Sequence, residues 1–208
     1  MNMGHREIIG GLLCFCCWST VVTAAPAAGG ETGNLMTPSA DMMRPGQFHA
    51  GWYEQVGQQH LVTAAALSCR WEISALRRTG GDASNAEIGF KYALRSENVL
   101  TPGLAVGAED VTANRRRSFY AVVSKTLPYG MRLHAGVGNG RYAGGFAAFE
   151  VRLLPKADVG RFPDASVYAE HVDGHAAYGV RMALFRGMKL ALGVDGHEHF
   201  VGISYNFY

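Results

Sequence analysis

A chain of 208 residues has the length of one moderate domain, and a formal charge of +2 excludes the broad basic surface of a nucleic-acid-binding protein. Glycine reaches 27 residues while charged residues make up only 17%. With no collagen period, that balance points to short strands joined by tight turns.

The N-terminal segment MNMGHREIIGGLLCFCCWSTVVTAAPAAGG carries Arg6 in a short leading region, then an apolar run from about Ile8 to Val22. Small residues follow at Val22-Thr23-Ala24. Residues 1–24 therefore read as a secretory signal peptide, cleaved before Ala25, with cleavage after Ala27 as the alternative. No lipoprotein-type pattern precedes Cys14, Cys16 or Cys17. Their removal leaves Cys69 with no intrachain disulfide partner, and it reads as a passive turn residue. No later apolar run is long enough for a membrane helix. A membrane strand is not excluded, since it crosses in about 9–11 residues with only every second side chain apolar.

Residues 25–46 read as a periplasmic lead-in. Pro38 and Pro45-Gly46 prevent a long helix there. Met42 and Met43 are expected to pack against the mouth of the following domain, or into its interior, rather than to bind a metal.

From residue 47 to 208 the hydropathy period is two. It predicts strands over 47–55, 60–67, 71–78, 86–96, 102–110, 117–127, 131–138, 145–154, 165–172, 176–185, 188–194 and 199–208. The stretch HLVTAAALSCRWEISAL also fits one irregular segment or a helical turn. In AEIGFKYALR, Ile88, Phe90, Tyr92 and Leu94 share one face, and Glu87, Lys91 and Arg95 the other. In HFVGISYNFY, Val201, Ile203, Tyr205 and Phe207 oppose Gly202, Ser204 and Asn206. Pro128-Tyr129-Gly130, Asn139-Gly140, Asp173-Gly174, Arg186-Gly187 and Asp195-Gly196 supply turn chemistry between strands.

A soluble barrel or sandwich would turn the apolar face inward, and a membrane barrel would turn it outward. The second face is rich in Gly, Ala and Ser with isolated charges, which suits a crowded lumen. Trp52, Trp71, Tyr92, Tyr178, Tyr205 and Phe207 recur near strand ends, as in an interfacial girdle. The chain also stops inside a strand at Phe207-Tyr208, with Phe207 in phase with the apolar face. The expected fold is an all-β antiparallel outer-membrane barrel of about twelve strands. An even count puts both termini on the periplasmic side, with the Arg115-Arg116-Arg117 loop and the Asn139, Asp173 and Asp195 hairpins facing out. The connection PKADVGRFPDA would then be periplasmic.

The ordered set TPSADMMRPGQFHAGWY, EIGFKYALRSEN, PGLAVGAEDV, RSFYAVVSKTL, RLHAGVGNGRYAGGFAAFE and VYAEHVDGHAAYGVR resembles the YjbH-like family across about residues 33–208. The resemblance implies a short, single-barrel form of an outer-membrane protein associated with exopolysaccharide production. It carries no catalytic residue and no cofactor. The partners it implies are the lipid bilayer and exopolysaccharide or its secretion proteins. The expected role is non-enzymatic, in exopolysaccharide biosynthesis or secretion or in envelope organisation. The alternatives are a small sugar channel and, more distantly, an envelope lipid or lipopolysaccharide hydrolase.

Each remaining motif also has a plainer reading. Glu170, His171, Asp173 and His175, with Asp195, His197, Glu198 and His199, could gather at two outward hairpins, but their spacings match no zinc motif. They read as turn and loop residues. GNGRYA copies the letters of a dinucleotide fingerprint, but a strand rather than a helix follows it, so it reads as a hairpin. Ser124 and His134 fall on neighbouring strands with Glu150 on the next, the raw materials of a hydrolase. Arg115, Arg116 and Arg117 could meet lipopolysaccharide phosphates or an anionic polysaccharide, or simply be solvated. Glu72, Glu87, Lys91, Arg95, Glu109, Arg132, Glu150, Arg152, Glu170 and Arg181 fall on the lumen face. Unpaired buried charge is costly, so these groups are expected to pair across strands, as a structural plug or as the lining of a hydrated path.

Overall fold

The computed structural model describes residues 25–55, 57–80, 86–153, 164–185 and 187–207. The proposed signal segment 1–24 and most of the 155–165 connection lie outside them.

Twelve strands form one closed antiparallel barrel: β1 (Phe48–Gln55), β2 (Gln58–Ala66), β3 (Trp71–Thr79), β4 (Ala86–Arg95), β5 (Gly103–Glu109), β6 (Ser118–Thr126), β7 (Met131–Gly138), β8 (Phe146–Leu153), β9 (Ala165–Val172), β10 (His175–Phe185), β11 (Met188–Asp195) and β12 (Glu198–Phe207). Each strand pairs with its chain neighbours, and β1 closes on β12 through Phe48 opposite Phe207. Closure leaves no unpaired edge, which a strand-built membrane protein requires. The ambiguous stretch after His60 resolves into β2 and β3, joined by a turn in which Leu67 and Ser68 amides donate to the Trp71 carbonyl. Cys69 lies exposed in that turn.

Alternation decides which way each side chain points. Ile73, Ile88, Phe90, Leu133, Phe149, Val167, Leu192 and Ile203 stand on the outer wall, each more than a third exposed. The outward charges Glu54, Arg77 and Lys125 stand near strand ends, leaving the middle of the wall apolar. Aromatic rings gather where the strands carry the chain ends. Phe48 packs on Phe207 at 5.4 Å, Tyr205 on Phe207 at 4.7 Å, and Trp71 on Tyr92 at 4.6 Å.

The inward face is polar and small for a packing reason. A Cβ on Gly202 would lie 2.1 Å from the Tyr53 ring, and one on Gly193 would lie 2.5 Å from the Phe200 ring. Glycine on one strand thus makes room for an inward ring from its neighbour. Bulges interrupt the ladder between Ala93 and Arg95 and between Ala183 and Phe185.

The loops at the two barrel ends differ. The turns after β1, β3, β5, β7, β9 and β11 share the end opposite the chain termini, including the Arg115–Arg117 loop and the Asp173-Gly174 turn. In that turn both residues have positive φ, 53° and 78°, as a two-residue hairpin demands. The segment Gly138–Ala143 makes a loop with a single turn of 3-10 helix, Gly140–Tyr142, followed by β8. It offers no α-helix N-terminus to a phosphate, so the fingerprint letters there carry no dinucleotide mechanism.

Candidate functional site

The lumen is occupied by the chain's own segment 25–43. Most of this segment is buried, with Leu35 and Thr37 at 0% exposure. Its turns are braced internally by bridges between Pro26 and Thr32 and between Gly33 and Pro38. Gly33 permits this fold, because a Cβ there would lie 2.3 Å from the Thr37 carbonyl oxygen. Leu35 fits over Gly179 of β10, where a Cβ would approach its methyl to 2.7 Å. Proline at positions 26 and 38 removes donors that this irregular backbone would otherwise have to satisfy.

Inward charges from around the barrel grip that segment. Glu170 of β9 accepts from the amides of Leu35 at 2.6 Å, Met36 at 3.0 Å and Thr37 at 2.8 Å, and from the Thr37 hydroxyl at 2.8 Å. Arg181 of β10 donates to the carbonyls of Gly33, Pro26 and Asn34 at 3.1, 2.9 and 2.5 Å. The Tyr53 hydroxyl donates to the same Pro26 carbonyl at 2.8 Å. Lys91 of β4 pairs with Glu72 of β3 at 3.0 Å and donates to the carbonyls of Thr32 and Asp41 at 2.9 and 2.6 Å. Thr32 in turn donates its hydroxyl to Glu72. Arg132 of β7 holds Asp41 through two bonds of 2.5 and 2.9 Å and reaches Glu97 at 2.9 Å. The backbone amides of Leu35, Met36 and Thr37 and the carbonyls of Pro26, Thr32, Gly33, Asn34 and Asp41 therefore find partners on the wall instead of water.

The sequence-predicted lumen residues divide accordingly. Glu72, Lys91, Arg132, Glu170 and Arg181 meet the segment directly or through Thr32. Glu87 pairs with Arg78 at 3.4 Å, away from these contacts. Glu150 accepts from Tyr168 at 3.0 Å. Two residues stand apart from the expected network. The bulge beside Arg95 leaves it exposed at the strand end, donating to the Pro102 carbonyl. Arg152, near the end of β8, is exposed and pairs with Asp164. Glu72 and Lys91 pair across neighbouring strands as expected, and Glu87 pairs across the same β3–β4 ladder with Arg78, while Arg132 holds Asp41 of the inner segment and Glu170 and Arg181 bond its backbone. Thr32, Thr37 and Asp41 were missed because an irregular segment has no period to reveal them. Tyr53 and Tyr120 were legible as inward by phase. Tyr120 donates to Glu31, and Tyr142 donates to Glu109 at 2.5 Å.

Asp41 gives a pH signature. Burial alone raises its carboxyl, but the paired Arg132 guanidinium outweighs that, with Lys91 adding, and holds it at about 2 against an ordinary 3.8. The folded value is depressed, so the pair's contribution is complete above the ordinary value and is lost as pH falls through about 2. An Asp41→Asn variant is expected to unfold at lower urea than the parent at neutral pH. The gap should close progressively below about pH 4.

The other sequence-level sites also have definite places. Ser124 Oγ lies 2.7 Å from His134 Nδ1, across the β6–β7 ladder, and accepts from the Ala40 amide at 2.8 Å. Both side chains are buried in the lumen, at 1% and 0% exposure. The apolar outer wall, where a lipid hydrolase would work, is on the other face. His171, Asp173, His175, His197, Glu198 and His199 are exposed, and among the described residues no three His, Cys, Asp or Glu side chains converge as metal ligands. Met43 is buried with Ala64 and Ala66, and Met42 is half-buried. Arg115, Arg116 and Arg117 are exposed in the β5–β6 loop.

A comparison with family models matches residues 27–192 to YjbH, described as "Exopolysaccharide biosynthesis protein YbjH". The match takes in most of the inner segment and β1 through most of β11. A comparison with curated proteins finds no match. With 166 of the 208 residues matched, the chain belongs to the YjbH family of exopolysaccharide biosynthesis proteins.

Proposed function

We propose that the protein is a non-enzymatic outer-membrane barrel that serves exopolysaccharide biosynthesis or secretion, or envelope organisation, with its lumen closed at rest by residues 25–43. The carrying observation is the division of chemistry across the wall. Apolar side chains face out over the middle of the strands, and charged groups face in and are consumed by the chain's own N-terminal segment. An apolar band of this kind, edged by aromatic rings at the chain-terminus end, matches what a bilayer selects. The occupied lumen favours this reading over an open sugar channel. The burial of Ser124 and His134 beneath Ala40 favours it over a hydrolase.

The location is tested by cell fractionation combined with heat-modifiable migration in gels. The expected result is a detergent-extracted outer-membrane species whose mobility changes on boiling. Recovery of the mature chain as a soluble periplasmic protein would end the reading.

A further inference from the structure

At the barrel end opposite the chain termini, the sector from β3 to β7 gathers Arg78, Arg115, Arg116, Arg117 and Arg141, while Asp173, Asp195 and Glu198 stand at the same end near β9 to β12. The β5–β6 loop is held in shape by Asp110, which accepts from the Arg115 and Asn114 amides at 2.6 and 3.0 Å and from the Thr112 hydroxyl at 2.9 Å. Asn114 anchors the loop to β4 by donating to the Ala86 carbonyl at 2.5 Å. The carboxylate is thus spent on the loop's own backbone. Arg115, Arg116 and Arg117 are exposed, and none of them forms an ion pair among the described residues. Arg117 donates only to the Val111 carbonyl, at 3.0 Å.

The cluster continues inward. Arg78 and His60 are opposed across the β2–β3 ladder, and both point to the lumen side of the mouth. Arg115 and Arg141 lie near both, and Arg141 also faces Glu109 at 3.8 Å. Arg78 has one carboxylate, Glu87 at 3.4 Å, yet its buried Nε has no partner, and neither does the buried Nε2 of His60. Gathering guanidinium groups and leaving the buried Arg78 Nε–H unsatisfied is unfavourable unless an anion completes the site.

We infer that Arg78, Arg115 and Arg141, flanked by Arg116 and Arg117, bind the acid groups of an anionic glycan chain at this mouth. This rests on the proposed exopolysaccharide role and on this end facing the cell exterior. Guanidinium forks suit carboxylate, sulfate or phosphate substituents. The direction of the cluster selects a glycan over a lipid headgroup. Arg78 faces the lumen side, and Arg141 donates to the Met36 carbonyl of the inner segment at 2.8 Å. A lipid phosphate would instead meet the outer wall, where Arg77 stands.

The test uses the full mature chain in detergent micelles, titrated with a polygalacturonate oligomer, with neutral dextran and with lipopolysaccharide-containing vesicles. Binding of polygalacturonate that weakens with added salt is expected, with none to dextran. The double variant Arg115→Glu, Arg117→Glu should weaken it roughly tenfold or more, and so should Arg78→Gln to a smaller extent. Arg44→Glu, an exposed change at the opposite end, should leave it unchanged. Heat-modifiable migration checks that each variant is folded. Equal binding of dextran, parental affinity in the double variant, or capture by the vesicles without polygalacturonate binding would each overturn the site. Fractionation does not depend on these side chains. A membrane-resident barrel that ignores the glycan therefore sinks the site alone.

Discussion

Lys91→Met is expected to be among the most destabilising single substitutions in the barrel. Lys91 is 0% exposed and Glu72 is 2% exposed, and they meet at 3.0 Å on the lumen face, one register step from the Trp71–Tyr92 pair. The lysine also donates to the Thr32 and Asp41 carbonyls. Removing it leaves the Glu72 carboxylate buried with only the Thr32 hydroxyl to answer it. Breaking a buried pair from one side costs about 3–5 kcal/mol. Urea unfolding in lipid vesicles should show a loss of that order. The double variant Glu72→Gln, Lys91→Met should recover much of it, because the uncompensated charge is then gone. A loss of only a few tenths of a kcal/mol in the single variant, near the surface ion-pair value, would mean that water reaches the pair.

Glu170→Ala should act on the inner segment more than on the wall. One carboxylate satisfies the amides of three consecutive residues, Leu35, Met36 and Thr37. Each orphaned buried amide costs about 1–3 kcal/mol. The segment can escape part of that cost by detaching locally, so the loss appears as opening of residues 35–37 while the barrel stays folded. Hydrogen exchange at these amides should accelerate by about a hundredfold, equivalent to about 2.7 kcal/mol. Exchange within β9 should change little. Glu170→Gln, which keeps an acceptor oxygen, should fall between the parent and the alanine variant. Unchanged exchange at all three amides would show that the carboxylate does not hold the segment.

The wall was far more legible in the sequence than its contents. A strand's period of two is set by local geometry. The inward phase of Glu72, Lys91, Arg132, Glu170 and Arg181 could therefore be read residue by residue, and Phe207 could be aligned with the outer wall. The twelve-strand count followed from turns such as Asp173-Gly174, whose positive φ angles have few residue solutions. The inner segment has no such rule. Thr32 is next to Glu72 because residues 25–43 double back inside a closed sheet, a long-range arrangement with no signal in spacing. Its prolines only excluded a helix, and packing into the lumen stood beside packing at the mouth. Arg95 strayed from its predicted phase because a bulge breaks alternation, and a bulge after Ala93 has no marker in Lys-Tyr-Ala-Leu-Arg. Ser124 and His134 illustrate the reverse case. Register does join them, at 2.7 Å, yet the face they occupy gives them to the lumen and to Ala40.

The central claim is that residues 25–43 close the barrel in the resting protein. Planar-bilayer recording of residues 25–208 tests it directly. No steady conductance is expected from the intact chain, and a steady channel is expected once residues 25–46 are deleted. A steadily open pore formed by the intact chain would contradict it.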